Sequence, residues 1–309
     1  MLELSASRLT GIVIVNWNTH DITLQCIRSL INNIPKEVQI ILVDNASEDG
    51  SGDLLHNKFP FVHYLKNKSN LGFTGGNNVG IRYCLSLGMD YVMLLNSDTL
   101  ADHDFISPML QYLDQHKEVG AIQPLIYFLH DKELVWNAGT WFSPTLGITW
   151  TIGEGKKDRF VYHQIREVPW LSGCCFLVRA QVLKASGLLD ERFFMYYEDV
   201  DLSFKIRKLG HQLVYFPSVN IKHIAGASQK ASNTSGEGDL SPNFHYLNIR
   251  NQLYVLFAHT EWFHRIISLP LLFVKISLFC IYFVVRLRFA KLRNLLKGLR
   301  DGLEHRTPG

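Results

Sequence analysis

The stretch that decides the fold is Val38-Gln-Ile-Ile-Leu-Val-Asp-Asn-Ala-Ser-Glu-Asp-Gly-Ser51. Its first six residues form an apolar run rich in β-branched side chains, which is typical of a buried strand. The run ends directly in Asp44, where a carboxylate can accept hydrogen bonds from a base N–H or a ribose hydroxyl. The polar residues after Asp44 also favour a plain turn or helix cap, so both interpretations stay open.

Strand-like and helix-like runs alternate on both sides of this segment. Helical spacing of apolar residues follows the first and the third strand, and this alternation predicts a parallel sheet with right-handed crossovers. The predicted strands are Gly11–Val15, Val38–Val43, Phe61–Leu65 and Tyr91–Leu95, and the predicted helices are Ile22–Ile34 and Thr74–Leu87.

Polar side chains stand where these strands end. Asn16 and Asp44 each follow a strand directly, and Asn96-Ser-Asp98 follows the most apolar strand of the chain. Because ligands of parallel sheets bind beyond the carboxyl ends of the strands, we expect these residues to crowd one edge. Asp98 suits a hard divalent cation, since Mg²⁺ takes one or two carboxylates together with substrate phosphates.

A glycine-rich segment, Asn70-Leu-Gly-Phe-Thr-Gly-Gly-Asn-Asn-Val-Gly80, precedes the second predicted helix. Glycines let the backbone approach a ligand closely, and a helix N-terminus favours phosphate. The spacing differs from the dinucleotide-binding fingerprint, and the segment does not follow the first strand. A tight turn that only packs the helix is the alternative.

An acidic cluster follows an aromatic run in Phe193-Phe-Met-Tyr-Tyr-Glu-Asp-Val-Asp-Leu202. A general base needs one carboxylate aimed at an acceptor hydroxyl, and Glu198 or Asp199 can supply it. On a helix that begins here, Glu198 and Asp201 would share one face and Asp199 would point elsewhere. Acidic capping of a helix N-terminus explains one or two of the three acids without any catalytic role.

The second half of the chain is less regular. We expect a helix over Leu202–Leu209 and a strand over Gln212–Phe216 that Pro217 stops. His223 follows that strand, although a lone histidine is usually structural. Residues 226–243 are rich in Gly, Ser and Asn, and we interpret them as a mobile loop that can close over a bound ligand.

The composition excludes several classes of protein. The chain has 309 residues, 47% hydrophobic side chains and a net charge of +3. These values argue against a disordered chain, a collagen-like repeat and a disulfide scaffold. The five cysteines are odd in number and lack zinc-site spacing, so a structural role in a reducing cytoplasm is the default. No apolar signal core stands near Met1.

The charge and the hydrophobicity concentrate near the C-terminus. Residues 261–300 carry a net charge of +7, which leaves −4 for the rest and argues against a nucleic-acid-binding body. Ile266–Val285 holds one charge and is long enough to span a bilayer, but six basic residues follow it. We therefore predict a catalytic domain over 1–260 and a tail over 261–309 that lies in the membrane surface. A true span and a buried helix remain alternatives.

Together these motifs resemble glycosyltransferase family 2, the inverting nucleotide-sugar transferases with a GT-A fold, and within it the rhamnosyltransferase-like subgroup. The resemblance covers residues 10–230. It is carried by the following motifs: Val13-Ile-Val-Asn-Trp-Asn18, Asp44 to Ser51, Asn70-Leu-Gly-Phe73 with Gly76 to Gly80, Leu94-Leu-Asn-Ser-Asp-Thr99, Trp170-Leu-Ser-Gly-Cys174, Asp190 to Leu202, and His223 with Gly226 and Ser228.

The resemblance implies a role for each matching residue. The base is Asp199 or its neighbour Glu198, and the metal ligands are Asp98 and His223. The residues implied to hold the nucleotide are Asn16, Asp44, Asn70, Gly72, Asn77 and Asn96. Asn96 replaces the first Asp of the family's Asp-x-Asp motif, which removes one negative charge from the metal site.

The resemblance also implies the activity. It predicts an α/β protein of the GT-A (Rossmann-like) fold that transfers a sugar, with rhamnose as the leading candidate, from a dTDP- or UDP-linked donor. The implied acceptor is a polyprenyl-diphosphate-linked glycan at the cytoplasmic face of the membrane, and the implied cofactor is Mg²⁺ or Mn²⁺. A non-catalytic assembly subunit and a nicotinamide-dependent oxidoreductase are the alternatives.

Overall fold

The computed structural model describes residues 8–224, 237 and 239–304. Two short 3₁₀ turns, Phe160–Tyr162 and Glu191–Phe193, lie between its regular elements. The strands are β1 (Thr10–Asn16), β2 (Val38–Asp44), β3 (His63–Lys66), β4 (Tyr91–Leu95), β5 (Thr99–Leu100), β6 (Val119–Phe128), β7 (Leu134–Asn137), β8 (Thr140–Ser143), β9 (Ile148–Thr151), β10 (Lys156–Lys157), β11 (Arg166–Glu167), β12 (Cys175–Arg179) and β13 (Gln212–His223). The helices are α1 (His20–Asn33), α2 (Ser51–Lys58), α3 (Gly72–Ser86), α4 (Ile106–Gln115), α5 (Ala180–Ala185), α6 (Glu198–Lys208), α7 (Pro242–His259), α8 (Trp262–Val285) and α9 (Phe289–Glu304).

The central sheet runs in the order β10-β7-β6-β12-β4-β1-β2-β3. Strand β1 lies between β2 and β4, and both pairings are parallel. Strand β12 joins β4 to β6 with antiparallel pairing on both sides. The parallel sheet predicted for the first hundred residues is therefore confirmed, and an antiparallel insertion extends it.

Helices cover both faces of the sheet. Alternate side chains of β1 point to opposite faces, so Ile12 and Ile14 join one core cluster and Val13 joins the other. Helix α3 lies close to β1, because a Cβ at Gly80 would collide with the side chain of Val13. Cys26 and Cys84 are buried in these two clusters as small hydrophobes, which agrees with the structural role predicted for them.

Strand β13 does not stop at Pro217, so that prediction is wrong. Its pairing with β6 shifts register between Phe216 and Asn220, and the shift accommodates the proline without ending the strand. The strand continues to His223, which pairs with Thr99 of β5. This extension carries His223 to the strand ends that hold Asp98.

The helix predicted over Leu202–Leu209 begins earlier, at Glu198. Its first turn holds all three acids of the acidic cluster, as the capping interpretation expects. Glu198 and Asp201 are both buried, whereas Asp199 is partly exposed, so Asp199 does point elsewhere.

The loop predicted over 226–243 lies largely outside the described residues, together with Gly226 and Ser228. Its end was predicted wrongly, because Pro242 already belongs to α7. The hydroxyl oxygen of Ser241 accepts a hydrogen bond from the backbone N–H of Phe244, 3.2 Å away. A serine N-cap followed by proline is a strong helix start, which the polar composition of this stretch conceals.

The segment Ile266–Val285 lies within α8, which among the described residues is the helix long and apolar enough to cross a membrane. Its side chains at 268, 272, 276 and 283 are buried, and those at 272, 276 and 283 form one stripe against α7 and α9. Most of the remaining apolar surface of α8 is exposed. The cluster on this stripe includes Leu253 of α7, so packing crosses the domain boundary predicted after residue 260. The division into two domains stays a prediction.

Candidate active site

A cavity of about 460 Å³ opens beyond the carboxyl ends of β1 and β4. It brings together eight residues that the sequence singles out from four distant segments. They are Asn70, Gly72, Asn77, Asn96, Asp98, Glu198, Asp199 and His223.

Asn16 and Asp44 lie at the neighbouring strand ends but outside the lining of this cavity. Both are buried, and the register of β1 and β2 places them side by side. The Asn16 side-chain amide donates to Oγ of Ser51 at 2.8 Å, and its Oδ1 accepts from the Thr23 hydroxyl at 2.8 Å. These bonds join β1 to α1 and α2 and support the edge on which the cavity forms. A direct contact of Asn16 or Asp44 with a nucleotide stays a prediction.

Asn45, in the turn that follows β2, lines the cavity. The sequence alone did not single it out. Its Nδ2 donates to Oδ1 of Asn70 at 2.9 Å and to the carbonyl of Gly72 at 3.0 Å. Its Oδ1 accepts the backbone N–H of Leu71 at 3.1 Å. Asn45 therefore fixes the shape of the glycine-rich turn. The signal was available, because Asn45 directly follows Asp44 in the same polar segment.

Position 72 needs a glycine for two reasons, its backbone conformation and its close neighbours. It has a φ of +71°, and a Cβ there would lie 2.5 Å from the carbonyl oxygen of Phe194. The backbone N–H of Thr74 donates to the same oxygen at 3.1 Å. The glycine-rich turn and the aromatic run before the acids thus pack directly on each other, as the packing alternative expects. Asn70, Gly72 and Asn77 also line the cavity, and their role in binding a nucleotide stays a prediction.

Asp98 and His223 form the polar pair on the opposite wall. The distance from Nε2 of His223 to Oδ1 of Asp98 is 3.0 Å, and both side chains are buried. The ring of Trp136 packs edge-on against the imidazole, with centroids 4.5 Å apart. This packing holds the ring plane and leaves Nε2 directed at the carboxylate.

This pair suits a divalent cation by its chemistry and its spacing. Two neighbouring ligands of an octahedral ion, each about 2.1 Å from it, lie about 3 Å apart, which is the spacing of these two atoms. Within the described ranges 8–224, 237 and 239–304, no cluster of three or more His, Cys, Asp or Glu side chains could hold a metal. A role of Asp98 and His223 as metal ligands stays a prediction, and a metal held there would take its remaining ligands from a substrate diphosphate and water.

The two adjacent acids have different surroundings. Each Asp199 oxygen accepts one backbone N–H, from Gly173 and from Val200, both at 2.8 Å. Burial raises the pKa of Asp199, and these two N–H groups oppose the shift because they favour the charged form. Glu198 is only 5% exposed, and its Oε2 has no partner within the described part of the chain.

The protonation of Glu198 follows from that environment. Burial raises its pKa well above the ordinary value, and the charge of Asp199 raises it further. Glu198 therefore favours its neutral form more strongly than Asp199, whose two N–H partners favour the charged form. Acids with unequally shifted pKa values are a common feature of acid–base sites.

An aromatic and apolar wall surrounds these polar groups. Phe194, Met195 and Tyr196 of the aromatic run line the cavity, whereas Phe193 is buried in the core. The cavity is also lined by Trp17, Ser172 and Cys174, which belong to motifs that carry the family resemblance but were given no role of their own. Lining residues that the sequence did not single out are Thr19, Trp136, Asn243, Phe244 and Leu247. The last three belong to α7, where the sequence was interpreted as a mobile loop or left unassigned.

Comparison with known proteins identifies the family to which the chain belongs. The sequence profile of glycosyl transferase family 2 matches residues 11–187. The chain therefore belongs to this family of sugar transferases, and it has the GT-A fold that the sequence predicts.

Two relatives and one solved structure are similar to this chain over most of its length. The chain is 28% identical over 250 residues to the N-acetylglucosaminyl-diphospho-decaprenol L-rhamnosyltransferase of Mycobacterium tuberculosis, covering 74% of this chain and 77% of that one. It is 26% identical over 307 residues to the low-salt glycan biosynthesis hexosyltransferase Agl10 of Haloferax volcanii, covering 96% and 92%. Among solved structures it is similar to the mannosyltransferase PcManGT of Pyrobaculum calidifontis in complex with GDP-Man and Mn²⁺. That match has a TM-score of 0.56 and 12% identity over 97% of this chain and 88% of the other.

Proposed function

We propose that the protein is an inverting rhamnosyltransferase that uses a dTDP-linked donor and a polyprenyl-diphosphate-linked glycan as acceptor. The observation that carries the proposal is that one cavity holds the Asp98–His223 pair on one wall and the Glu198–Asp199 pair on another. A transferase of this class needs both, a site for the donor diphosphate and a base for the acceptor. UDP-linked hexoses and N-acetylhexosamines are the alternative donors.

The proposed donor sugar, rhamnose, and the proposed lipid-linked acceptor are inferred from a relative of this chain. The mycobacterial relative is named as a transferase of L-rhamnose to N-acetylglucosaminyl-diphospho-decaprenol. Its similarity extends over 74% of this chain. We extend that donor sugar and that class of acceptor to this chain, with cell-surface polysaccharide as the product.

Asn70, Gly72, Asn77 and Asn96 would hold the nucleotide, with Asn16 and Asp44 supporting them from beneath. Asp98 and His223 would hold Mg²⁺ or Mn²⁺, which offsets the negative charge that develops on the departing diphosphate. Asn96 contributes an amide where a second carboxylate would otherwise stand. The metal site of this chain would therefore depend on the diphosphate more than a site with two aspartates does.

Asp199 is the base in this proposal, and Glu198 is its alternative. The Asp199 carboxylate takes the proton of the acceptor hydroxyl, and that oxygen attacks the anomeric carbon on the face opposite the diphosphate. One displacement inverts the configuration at that carbon. A raised pKa makes Asp199 a better proton acceptor near neutral pH, and the N–H groups of Gly173 and Val200 keep it oriented.

The membrane surface is the proposed site of action. The exposed apolar face of α8 and the basic residues after it suit an anionic bilayer. We propose that α8 lies in the cytoplasmic surface and does not cross the bilayer, because six basic side chains follow it within fifteen positions.

A thermal-shift screen tests the donor class. The full chain is heated with dTDP, UDP, GDP or NAD, each with and without Mg²⁺ or Mn²⁺. Since a ligand of the folded state stabilises it by RT ln(1 + [L]/Kd), we expect a metal-dependent rise of Tm with dTDP. A response to NAD alone would contradict the proposed nucleotide-sugar donor. The same Tm with all three diphosphates, with or without metal, would favour a non-catalytic assembly subunit.

A further inference from the structure

The turn before the two acids has an unusual backbone. Phe194, Tyr196 and Tyr197 have φ values of 63°, 71° and 68°, in the left-handed region that side chains disfavour. Three such residues within four positions persist only when the surrounding structure holds them. Glu198 and Asp199 follow at once, so their position depends on what holds this turn.

Helix α7 supplies the groups that hold the turn. The Asn251 side chain is fully buried, and its Nδ2 donates to the carbonyls of Phe193, Met195 and Tyr196 at 3.0, 2.8 and 2.8 Å. Nη2 of Arg250 donates to the carbonyls of Arg192 and Phe193 at 2.8 and 2.9 Å. Two adjacent side chains therefore bind four carbonyls of one short turn.

Further hydrogen bonds connect Arg250 to α9, the last helix of the described chain. Nη1 of Arg250 donates to the hydroxyl of Tyr246 at 3.2 Å, and that hydroxyl donates to Oδ2 of Asp301 at 2.9 Å. Helix α9 lies directly on α7 here, because a Cβ at Gly298 would collide with the carbonyl of Tyr246. A hydrogen-bonded path thus runs from α9 through α7 to the acid-bearing turn.

The turn also contacts the glycine-rich segment. The carbonyl of Phe194 accepts the backbone N–H of Thr74 at 3.1 Å and lies where a Cβ of Gly72 would be. A displaced turn would therefore disturb the glycine-rich wall of the cavity as well as the acids.

We propose that Asn251 and Arg250 are positioning residues that hold the 193–197 turn in the conformation which presents Asp199 to the acceptor. The helices predicted as a membrane tail are then part of the support of the active site and not only an anchor. This inference rests on the proposed transferase function, and it adds two residues to which no role in the reaction has been given so far.

The first test is kinetic and uses the full chain with Asn251→Asp, which keeps the shape of the side chain and replaces its donors by an oxygen facing carbonyls. The assay measures rhamnose transfer from dTDP-rhamnose to a synthetic polyprenyl-diphospho-N-acetylglucosamine. We expect kcat to fall on the order of 100-fold, because misplacement of a reacting group by about 1 Å costs that much. The KM for the donor should change far less.

The matched control is Asn33→Asp. The Asn33 amide also bonds two carbonyls, those of Ser29 at 2.9 Å and Ala101 at 3.1 Å, but it lies at the end of α1 outside the cavity. Its kcat should stay within about threefold of wild type, since surface substitutions away from special features change stability little. A second variant, Tyr246→Phe, removes the hydroxyl between Arg250 and Asp301, and we expect an intermediate loss of kcat.

The second test does not depend on the reaction. Hydrogen exchange of the folded protein reports the backbone N–H groups of Met195 and Asp201, which bond the carbonyls of Phe193 and Tyr197. We expect faster exchange over 193–201 in Asn251→Asp and Tyr246→Phe, with unchanged exchange in β1 and β4. Asn251→Ser, which keeps a single donor, replaces Asn251→Asp in both tests if the aspartate variant does not fold.

The outcomes separate this proposal from the proposed function. Wild-type exchange over 193–201 in the Asn251 variants would overturn the positioning role whatever the reaction is. Faster exchange with unchanged kcat would overturn it too, because the turn would then be irrelevant to the acids. A wild-type chain that transfers no sugar from any nucleotide donor would refute the transferase proposal, and exchange alone would then show whether the turn is held as described.

Discussion

Nε2 of His223 lies 3.0 Å from Oδ1 of Asp98, although 125 positions separate the two residues in the sequence. Asp98 follows β4, and His223 ends β13, which reaches that point because a register shift absorbs Pro217. The pair exists only in the folded chain, since unrelated strands contribute its two members. Its position in the cavity wall makes it the first element of the site to test.

Asp98→Asn should remove the metal dependence of nucleotide binding. The substitution keeps the shape of the side chain and removes its negative charge, which is what a hard cation binds. We expect the extra rise in Tm that Mn²⁺ gives with dTDP to disappear, while the smaller rise with dTDP alone remains. Thermal shift with a manganese titration measures both.

Asp102→Asn is the matched control for that experiment. Asp102 carries the same carboxylate four positions later, but it is exposed and pairs with Lys222 and His103. Its loss should leave the manganese effect unchanged. Equal manganese effects in Asp98→Asn and in wild type would show that Asp98 is not a metal ligand.

The parts of the site that the sequence predicted have local signals. An apolar run followed directly by a polar residue marks a strand end, and this pattern correctly placed Asp44 and the Asn96–Asp98 segment at the carboxyl ends of β2 and β4. The glycine-rich segment indicated either a close approach to a ligand or a tight packing turn, and Gly72 shows the packing, against Phe194. Each of these features depends on neighbours within a few residues, so a sequence can display it.

The parts that the sequence did not predict depend on distant contacts. Strand β13 was expected to end at Pro217 because a proline lacks the N–H of a ladder, but pairing with β6 on both sides of the shift outweighs that loss. The wall formed by Phe244 and Leu247 was missed because a polar stretch hides the start of α7. No local sequence pattern indicates that the Asn251 amide donates hydrogen bonds to three carbonyls, because these carbonyls belong to residues more than fifty positions away.

The two adjacent acids should respond differently to loss of their charge. Asp199→Asn removes the proposed base, and we expect transfer to fall about 100- to 10,000-fold. Glu198→Gln mimics the protonated acid that burial already favours, so transfer should fall by less than about tenfold. Donor binding, measured by thermal shift with dTDP and Mn²⁺, should survive in both variants. The reverse order of activities would identify Glu198 as the base.

The buried acid should also make stability depend on pH. The pKa of Glu198 is raised in the folded state, so the folded chain binds more protons than the unfolded chain above the ordinary pKa of about 4.3. Wild-type stability therefore falls as pH rises from that value through the raised pKa. Glu198→Gln should remove this loss and unfold at a higher temperature than wild type at pH 8, with a smaller difference at pH 5.

The reference for that comparison is Glu133→Gln. Glu133 is an exposed acid in a surface pair with Lys157. Its removal should shift Tm little at either pH, since exposed pairs contribute about 0–1 kcal/mol. Parallel pH curves for wild type and Glu198→Gln would contradict the raised pKa.

Gly72→Ala should damage the cavity more than backbone strain alone explains. The new Cβ would lie 2.5 Å from the Phe194 carbonyl, so the glycine-rich turn and the acid-bearing turn must move apart. Gly88→Ala is the matched variant, because Gly88 has nearly the same φ of +69° with open space around it. Both should lose about 1 kcal/mol to the left-handed backbone. Only Gly72→Ala should also weaken stabilisation by dTDP with Mn²⁺, and equal nucleotide responses would contradict the close packing.

Membrane binding should depend on the exposed face of α8. Ile266, Val274 and Leu278 are 61%, 57% and 62% exposed, so serine there removes apolar surface without opening the stripe that packs on α7. We expect the triple variant to bind phosphatidylglycerol-containing vesicles at least about 100-fold more weakly, since each large apolar side chain contributes about 1.5–3 kcal/mol when buried. Flotation with vesicles measures the change. Serine at Leu54, Phe61 and Phe160, which are 55%, 66% and 84% exposed and lie outside α8, is the control and should bind like wild type. Truncation after Glu261 is a less specific test, because it also removes the helices that pack on α7. Full vesicle binding by the α8 variant would show that another surface holds the protein to the membrane.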